Sequence, residues 1–319
     1  MTLTQAKNIK QYFSRALIVC SFLWIGYLAY LDRAYLDDIC GRLLIPANFF
    51  WIIVSLFVGC LSNFLPVLIF REILNHDARK NFSLREILRF FFVSQIVRYL
   101  PGRLLGIAYQ VAKADVAIPA AVIVRSNLEF IILSFLFSAL FGVVVLSFYM
   151  ASPLVAMLIA AAGFLIIYFY LKFNWASWLL SSLSKVIPSK RLKAAAPLWS
   201  RWHFSVKSIG NIFLFFSVSW GLYVLAWWSL GRVFQEQDMV ILCVTYTAAY
   251  MVGILSMITP GGVGVRESVF VYISSGVADA STLAVISIFM WCWFVLIDFI
   301  LAGVVMLLER SRKQPISHG

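Results

Sequence analysis

Seven apolar runs dominate this chain: Ala16–Leu31, Ala47–Phe70, Ala120–Tyr149, Leu154–Leu171, Ile209–Leu230, Met239–Ile258 and Thr282–Leu308. A helix needs about 20 mostly apolar residues to cross a bilayer. Lipid offers no hydrogen-bond partner to the backbone, so spanning segments must satisfy their own N–H and C=O groups. The runs predict an all-α, polytopic helical membrane protein. Hydrophobic residues make up 62% of the sequence and charged residues 13%, whereas soluble domains carry about 25% charge. No polar block is long enough for a soluble domain, so residues 1–319 read as a single integral membrane domain.

The net charge of +12 comes from 26 Lys and Arg against 14 Asp and Glu. Nucleic-acid binding is excluded as its cause, because the basic residues fall in segments between spans. There they set orientation and meet anionic phospholipid headgroups. Cytoplasmic residues are expected at the N-terminus (Lys7, Lys10, Arg15), at 71–89 (Arg71, Arg79, Lys80, Arg85, Arg89), at 172–208 and in the tail (Arg310, Arg312, Lys313). The 172–208 segment holds seven Lys and Arg and no acid. It also interleaves Trp175, Trp178, Trp199 and Trp202 with charge, as an amphipathic surface segment on anionic lipid would. The loop after the first run, with Asp32, Asp37 and Asp38, and the near-neutral loop Gly231–Asp238 are expected outside. Both termini then face the cytoplasm, and the N-terminal run reads as an uncleaved first span of a bacterial inner-membrane protein.

Two breaks interrupt the apolar pattern: Arg98-Tyr99-Leu100-Pro101-Gly102-Arg103, and Thr259-Pro260-Gly261-Gly262-Val263-Gly264-Val265-Arg266-Glu267. Parity gives them a role. Two runs already join the inside segments 71–89 and 172–208, so Phe90–Ala112 must enter and leave from the cytoplasm, turning at Pro101-Gly102. One run joins the outside loop at 231–238 to the inside tail, so 239–277 must turn back at Pro260-Gly261-Gly262. Half one (47–150) and half two (209–308), linked by 172–208, become an inverted repeat: about seven spanning helices plus two re-entrant helical hairpins, a transporter-type plan. The competing reading is that 90–112 crosses as a kinked helix, or that Ser268–Val277 makes a short crossing.

The breaks supply candidate binding residues. Gly102, Gly261, Gly262 and Gly264 let a ligand approach the main chain. A half-helix starting near Val265 would aim its positive end at the break. Arg98, Arg103 and Arg266 suit bidentate contact with a phosphate. Against this stand Arg snorkelling to headgroups and a plain structural kink with Arg266 paired to Glu267. Glu267 either holds Arg266 or takes part in proton coupling. Arg125 and Glu129, four residues apart, share one face of a span, either as an internal salt bridge or as part of a pathway. Asp298 lies mid-span with no local partner and needs a cation or a proton; Asn63 and Asn127 are weaker polar signals of the same kind.

Cys20, Cys60, Cys243 and Cys292 fall in apolar runs, Cys40 stands in a loop, and His76, His203 and His318 are scattered. No metal-ligand spacing or disulfide framework results. Gly-x-Ser-x-Gly, His-Glu-x-x-His and phosphate-loop signatures are absent, and no cofactor is called for.

The second break, with Tyr99-Leu100-Pro101-Gly102-Arg103 upstream, resembles the transmembrane region of lysylphosphatidylglycerol synthase/flippase proteins and their stand-alone relatives. The resemblance in layout covers roughly residues 10–310. It implies movement of a lipid between leaflets. In the bifunctional relatives, aminoacyl transfer belongs to a separate soluble domain after the last span. This chain ends eleven residues beyond Leu308, so a stand-alone member without that domain is expected. The first expectation is thus a non-enzymatic translocase or lipid-binding transporter for a phospholipid or polyprenyl-linked lipid. Arg98, Arg103 and Arg266 would face its phosphate, and Arg125, Glu129, Glu267 and Asp298 would balance or couple charge. The alternative is a membrane glycosyltransferase with a polyprenyl-phosphate donor, using Asp37 and Asp38 on the outer face.

Overall fold

A computed structural model describes residues 30, 33–78, 80–97, 105–113, 118–173, 204–235, 238–255 and 264–313. Every regular element among them is helical: α1 (Arg33–Leu43), α2 (Pro46–Ala78), α3 (Leu84–Val97), α4 (Leu105–Lys113), α5 (Ala120–Met150), α6 (Pro153–Phe173), α7 (Val206–Phe234), α8 (Met239–Leu255), α9 (Val265–Ile273) and α10 (Ala280–Lys313). Five of these, α2, α5, α6, α7 and α10, are long and apolar enough to cross a membrane. The protein is a multi-pass helical membrane protein.

The exposed faces are apolar. On α2, Phe50, Ile53, Phe57 and Leu61 recur every three or four residues and are exposed, while Ser55, Val58 and Ser62 are buried. Helix α6 likewise exposes Leu154, Met157, Leu158, Leu165 and Ile166. In water such a surface would be an aggregation face; against lipid it costs nothing, and polar groups turn inward instead.

The chain divides into two compact units. The first holds residues 1–64, 88–109 and 221–319. Its core joins Trp227 and Leu230 of α7, Leu242 and Tyr246 of α8, Phe270 of α9 and Ile286 of α10. The second holds residues 65–87 and 110–220. Its core centres on Phe137 of α5, which stacks on Phe216 of α7 at 4.3 Å and meets Phe213 edge-on at 5.2 Å. Helices α5 and α6 pack closely after the turn at Ala151–Ser152, where Ser152 accepts the Val155 N–H at 3.3 Å and Pro153 takes the first helical position.

Helix ends depart from the ends of the apolar runs. Apolar character in α2 stops at Phe70, but the helix continues to Ala78, giving 33 residues and a length of about 50 Å at 1.5 Å per residue. The hydrocarbon core is only about 30 Å thick, so the helix is longer than a perpendicular crossing requires. The 71–89 segment, expected as a loop, is therefore mostly helical, with only a short gap before Leu84. Ser83 opens α3 with a capping box: its N–H donates to Glu86 Oε2 at 2.9 Å, its hydroxyl to the same oxygen at 2.7 Å, and Glu86 N–H returns to Ser83 Oγ. Those hydrogen bonds hold the Glu86 carboxyl below its ordinary value.

One further expectation changes. Residues 33–43, expected as an outer loop containing Cys40, form α1. Within the run Met239–Ile258 the described residues form α8, Met239–Leu255. The first run, 16–31, lies almost wholly outside the described residues, as do 98–104 and 256–263 at the two breaks and most of the basic segment 172–208.

Helices α2 and α10 approach at Gly59, where an added Cβ would lie 2.6 Å from Ile297 Cδ1. Gly59→Leu is expected to lower stability by about 1–3 kcal/mol through overpacking. Gly210→Leu, with nothing within 4 Å of its Cβ position, should melt near the wild type. Thermal unfolding in detergent compares the two; equal melting points would rule out the tight α2–α10 contact.

Candidate functional site

Among the described residues, buried charge collects in three places. The first sits where α9 begins. Gly264 precedes it with φ 86°, a left-handed backbone that favours glycine. The Gly264 N–H donates to Glu267 Oε2 at 2.6 Å, so the carboxylate takes one of the free donors at the helix start. Glu267 Oε1 accepts from Arg266 Nε at 2.9 Å and also from Arg266 Nη2. The guanidinium carbon lies 5.1 Å from the Tyr246 ring centre and 6.0 Å from that of Tyr250, both on α8. Arg266 and Glu267 are buried. Of the two roles open to Glu267, the observed contacts are those of a holder.

Helices α8 and α9 form an antiparallel pair. Contacts progress from Tyr250 with Arg266, through Tyr246 with Phe270 at 5.5 Å, to Thr245 Oγ1 accepting from Ser274 Oγ at 2.8 Å. Helix α9 has nine residues, a rise of about 14 Å, too short to cross the hydrocarbon alone.

The second place is in the other unit, around the end of α2. Asp77, with no side-chain exposure, lies 3.3 Å from Arg125 Nη2 through Oδ1 and accepts from Ser126 Oγ at 2.7 Å through Oδ2. His76 stacks on Phe204 with ring centres 4.2 Å apart. One turn along α5 from Arg125, the buried Glu129 accepts the Tyr170 hydroxyl of α6 at 3.1 Å through Oε2. Its Oε1 has no hydrogen-bond partner among the described residues. Asn127 donates to Gln110 of α4 at 2.6 Å and to the Ile123 carbonyl at 2.8 Å. Asp77 thus holds Arg125 and Tyr170 holds Glu129, with the two α5 residues one turn apart.

The third is Asp298 of α10. It is buried, and its Oδ1 accepts from Asn63 Nδ2 of α2 at 3.3 Å. An amide from a second span has joined the acid that showed no local partner.

Of the sequence candidates, Gly264, Arg266 and Glu267 come together, Arg125 and Glu129 lie on one helix, and Asp298 is separate. Arg98, Gly102, Arg103, Gly261 and Gly262 lie outside the described residues. Asp77, Tyr170, Tyr246 and Tyr250 are the residues that sequence reasoning missed. Asp37 and Asp38 are exposed on α1, and Asp38 pairs with Arg42 at 2.6 Å. Among the described residues no three His, Cys, Asp or Glu side chains group as metal ligands.

A buried Arg without its acid costs about 3–5 kcal/mol. Glu267→Ala should destabilise by that amount, and adding Arg266→Met should restore much of the loss. Thermal unfolding of the purified variants decides; a double variant no more stable than Glu267→Ala would show that stranded charge is not the cause.

No curated protein matches the chain. The family model of the lysylphosphatidylglycerol synthase TM region matches residues 15–304, nearly the whole sequence. This chain belongs to the lysylphosphatidylglycerol synthase transmembrane-region family.

Proposed function

We propose that the protein binds a phosphate-bearing membrane lipid and moves it between the leaflets of a bacterial inner membrane, with no covalent step. The observation that carries the reading is the antiparallel α8–α9 pair, joined through a Pro/Gly break and holding a buried Arg–Glu pair at the start of a helix too short to span. Broken helices at membrane depth are the usual seat of a transport site. The family name adds lipid chemistry: the namesake synthase makes an aminoacylated phospholipid.

In this reading the hairpin re-enters from the outer face, and residues 90–112 form its counterpart from the cytoplasmic face. Together with about seven spans they complete an inverted repeat of residues 47–150 and 209–308, with both termini cytoplasmic. Gly102, Gly261, Gly262 and Gly264 give the headgroup access to backbone N–H groups. Arg98, Arg103 and Arg266 meet its phosphate. Glu267 occupies Nε and Nη2 of Arg266 and leaves Nη1 for a phosphate oxygen. Arg125, Glu129 and Asp298 balance or couple charge inside the bundle.

The test is transfer of fluorescent phosphatidylglycerol in reconstituted vesicles, read by dithionite bleaching of the outer leaflet. Hydrogen bonds to a charged group are worth about 1.5–3 kcal/mol each, so Arg103→Ala with Arg266→Ala should slow transfer by at least about tenfold. Transfer at the wild-type rate in the double variant would overturn the reading. Sugar transfer from a polyprenyl-phosphate donor, lost in Asp37→Asn with Asp38→Asn, would replace it with glycosyl transfer.

A further inference from the structure

Away from the break, the first unit carries an arginine held by aromatic rings. Arg42, Arg125 and Arg266 each lie on a carboxylate, of Asp38, Asp77 and Glu267 respectively. Arg232, near the end of α7, has neither a carboxylate nor a hydrogen-bond acceptor on it among the described residues. Its guanidinium carbon lies 4.9 Å from the ring centre of Trp228 and 5.9 Å from that of Trp51. The two indoles meet edge to face at 5.4 Å and 89°, so the cation sits in the corner between them.

The corner is part of the fold. The start of α2 runs beside the end of α7, fixed by Ser55 Oγ donating to the Ala226 carbonyl at 3.0 Å. Trp227 turns into the core, while Trp228 is partly exposed and one helical turn before Arg232. Around Trp51, Phe49, Phe50 and Ile53 are exposed. Aromatics at helix ends, above an apolar exposed face, mark the membrane–water interface.

We propose that Trp51, Trp228 and Arg232 form a site for the headgroup of an anionic phospholipid. The ring contacts take no N–H of the exposed guanidinium, so its donors remain open to two phosphodiester oxygens. Phe50 and Ile53 lie where the acyl chains of that lipid would pass. A zwitterionic lipid would bring an ammonium group to a corner already filled by a cation, so the site discriminates by repulsion as well as attraction. A free phosphate has no acyl chain to bury and meets an exposed charge screened by salt. The site stands whether or not the protein moves lipid, since it uses no residue of the break.

Native mass spectrometry of the full chain in mixed micelles of phosphatidylglycerol and phosphatidylcholine tests it. One interfacial Arg favours anionic lipid by about fivefold. The wild type should retain phosphatidylglycerol over phosphatidylcholine by that factor, and Arg232→Gln should remove the preference. Arg232→Lys should keep about half of it, because charge remains without the fork. Millimolar inorganic phosphate should not displace the lipid. Equal retention of both lipids by the wild type, or an unchanged preference in Arg232→Gln, overturns the site. Displacement by inorganic phosphate would assign it to a soluble anion and overturn the lipid commitment.

Discussion

A polar group taken into the membrane must find its partner inside the protein, and the contacts of Glu267 follow from that rule. One carboxylate oxygen takes the free N–H of Gly264, and the other takes the Arg266 guanidinium. A helix start and a buried cation are thereby satisfied by a single side chain. Glycine at the preceding position is what lets the backbone reach that carboxylate. Tyr246 and Tyr250 then cover the guanidinium with ring faces, which ties the start of α9 to the flank of α8. If Glu267 is neutralised, the cation, the helix cap and the hairpin contact are all disturbed together.

The second unit obeys the same rule with partners drawn from three helices. Asp77 comes from the end of α2, Arg125 and Glu129 from α5, and Tyr170 from α6. The acid with the cation and the acid with the phenol are different residues. Arg125 is therefore paired with the carboxylate of Asp77, while the hydrogen bond to Glu129 comes from a neutral phenol. In the first unit, Asp298 accepts from the amide of Asn63 on a second helix.

The spans were legible because the lipid core imposes a length and a composition, and α2, α5, α6, α7 and α10 follow the apolar runs. The start of α9 at Val265 was legible for a local reason: proline and glycines end one helix, and the next can begin only after them. The Arg266–Glu267 pairing was legible as one of two roles because the residues are adjacent. Long-range pairings were not. Nothing in the sequence ties Asp77 to Arg125 or Asn63 to Asp298, since each pair is set by how helices pack. Asp77 was hidden further because hydropathy ends at Phe70, whereas the helix needs only tolerable residues to continue to Ala78. For α1, acidic residues after the first run suggested a loop, although an exposed helix accepts them.

Between Met239 and Ile273 the sequence carries two charges, Arg266 and Glu267, and they are held together. An elementary charge crossing a potential of 100 mV exchanges about 2.3 kcal/mol with the electric field. For this segment the two contributions cancel. Displacing the α8–α9 pair along the membrane normal therefore transfers no net charge, and the resting voltage of the cell does no work on it. Any electrical force on the protein must act on charges elsewhere in the chain.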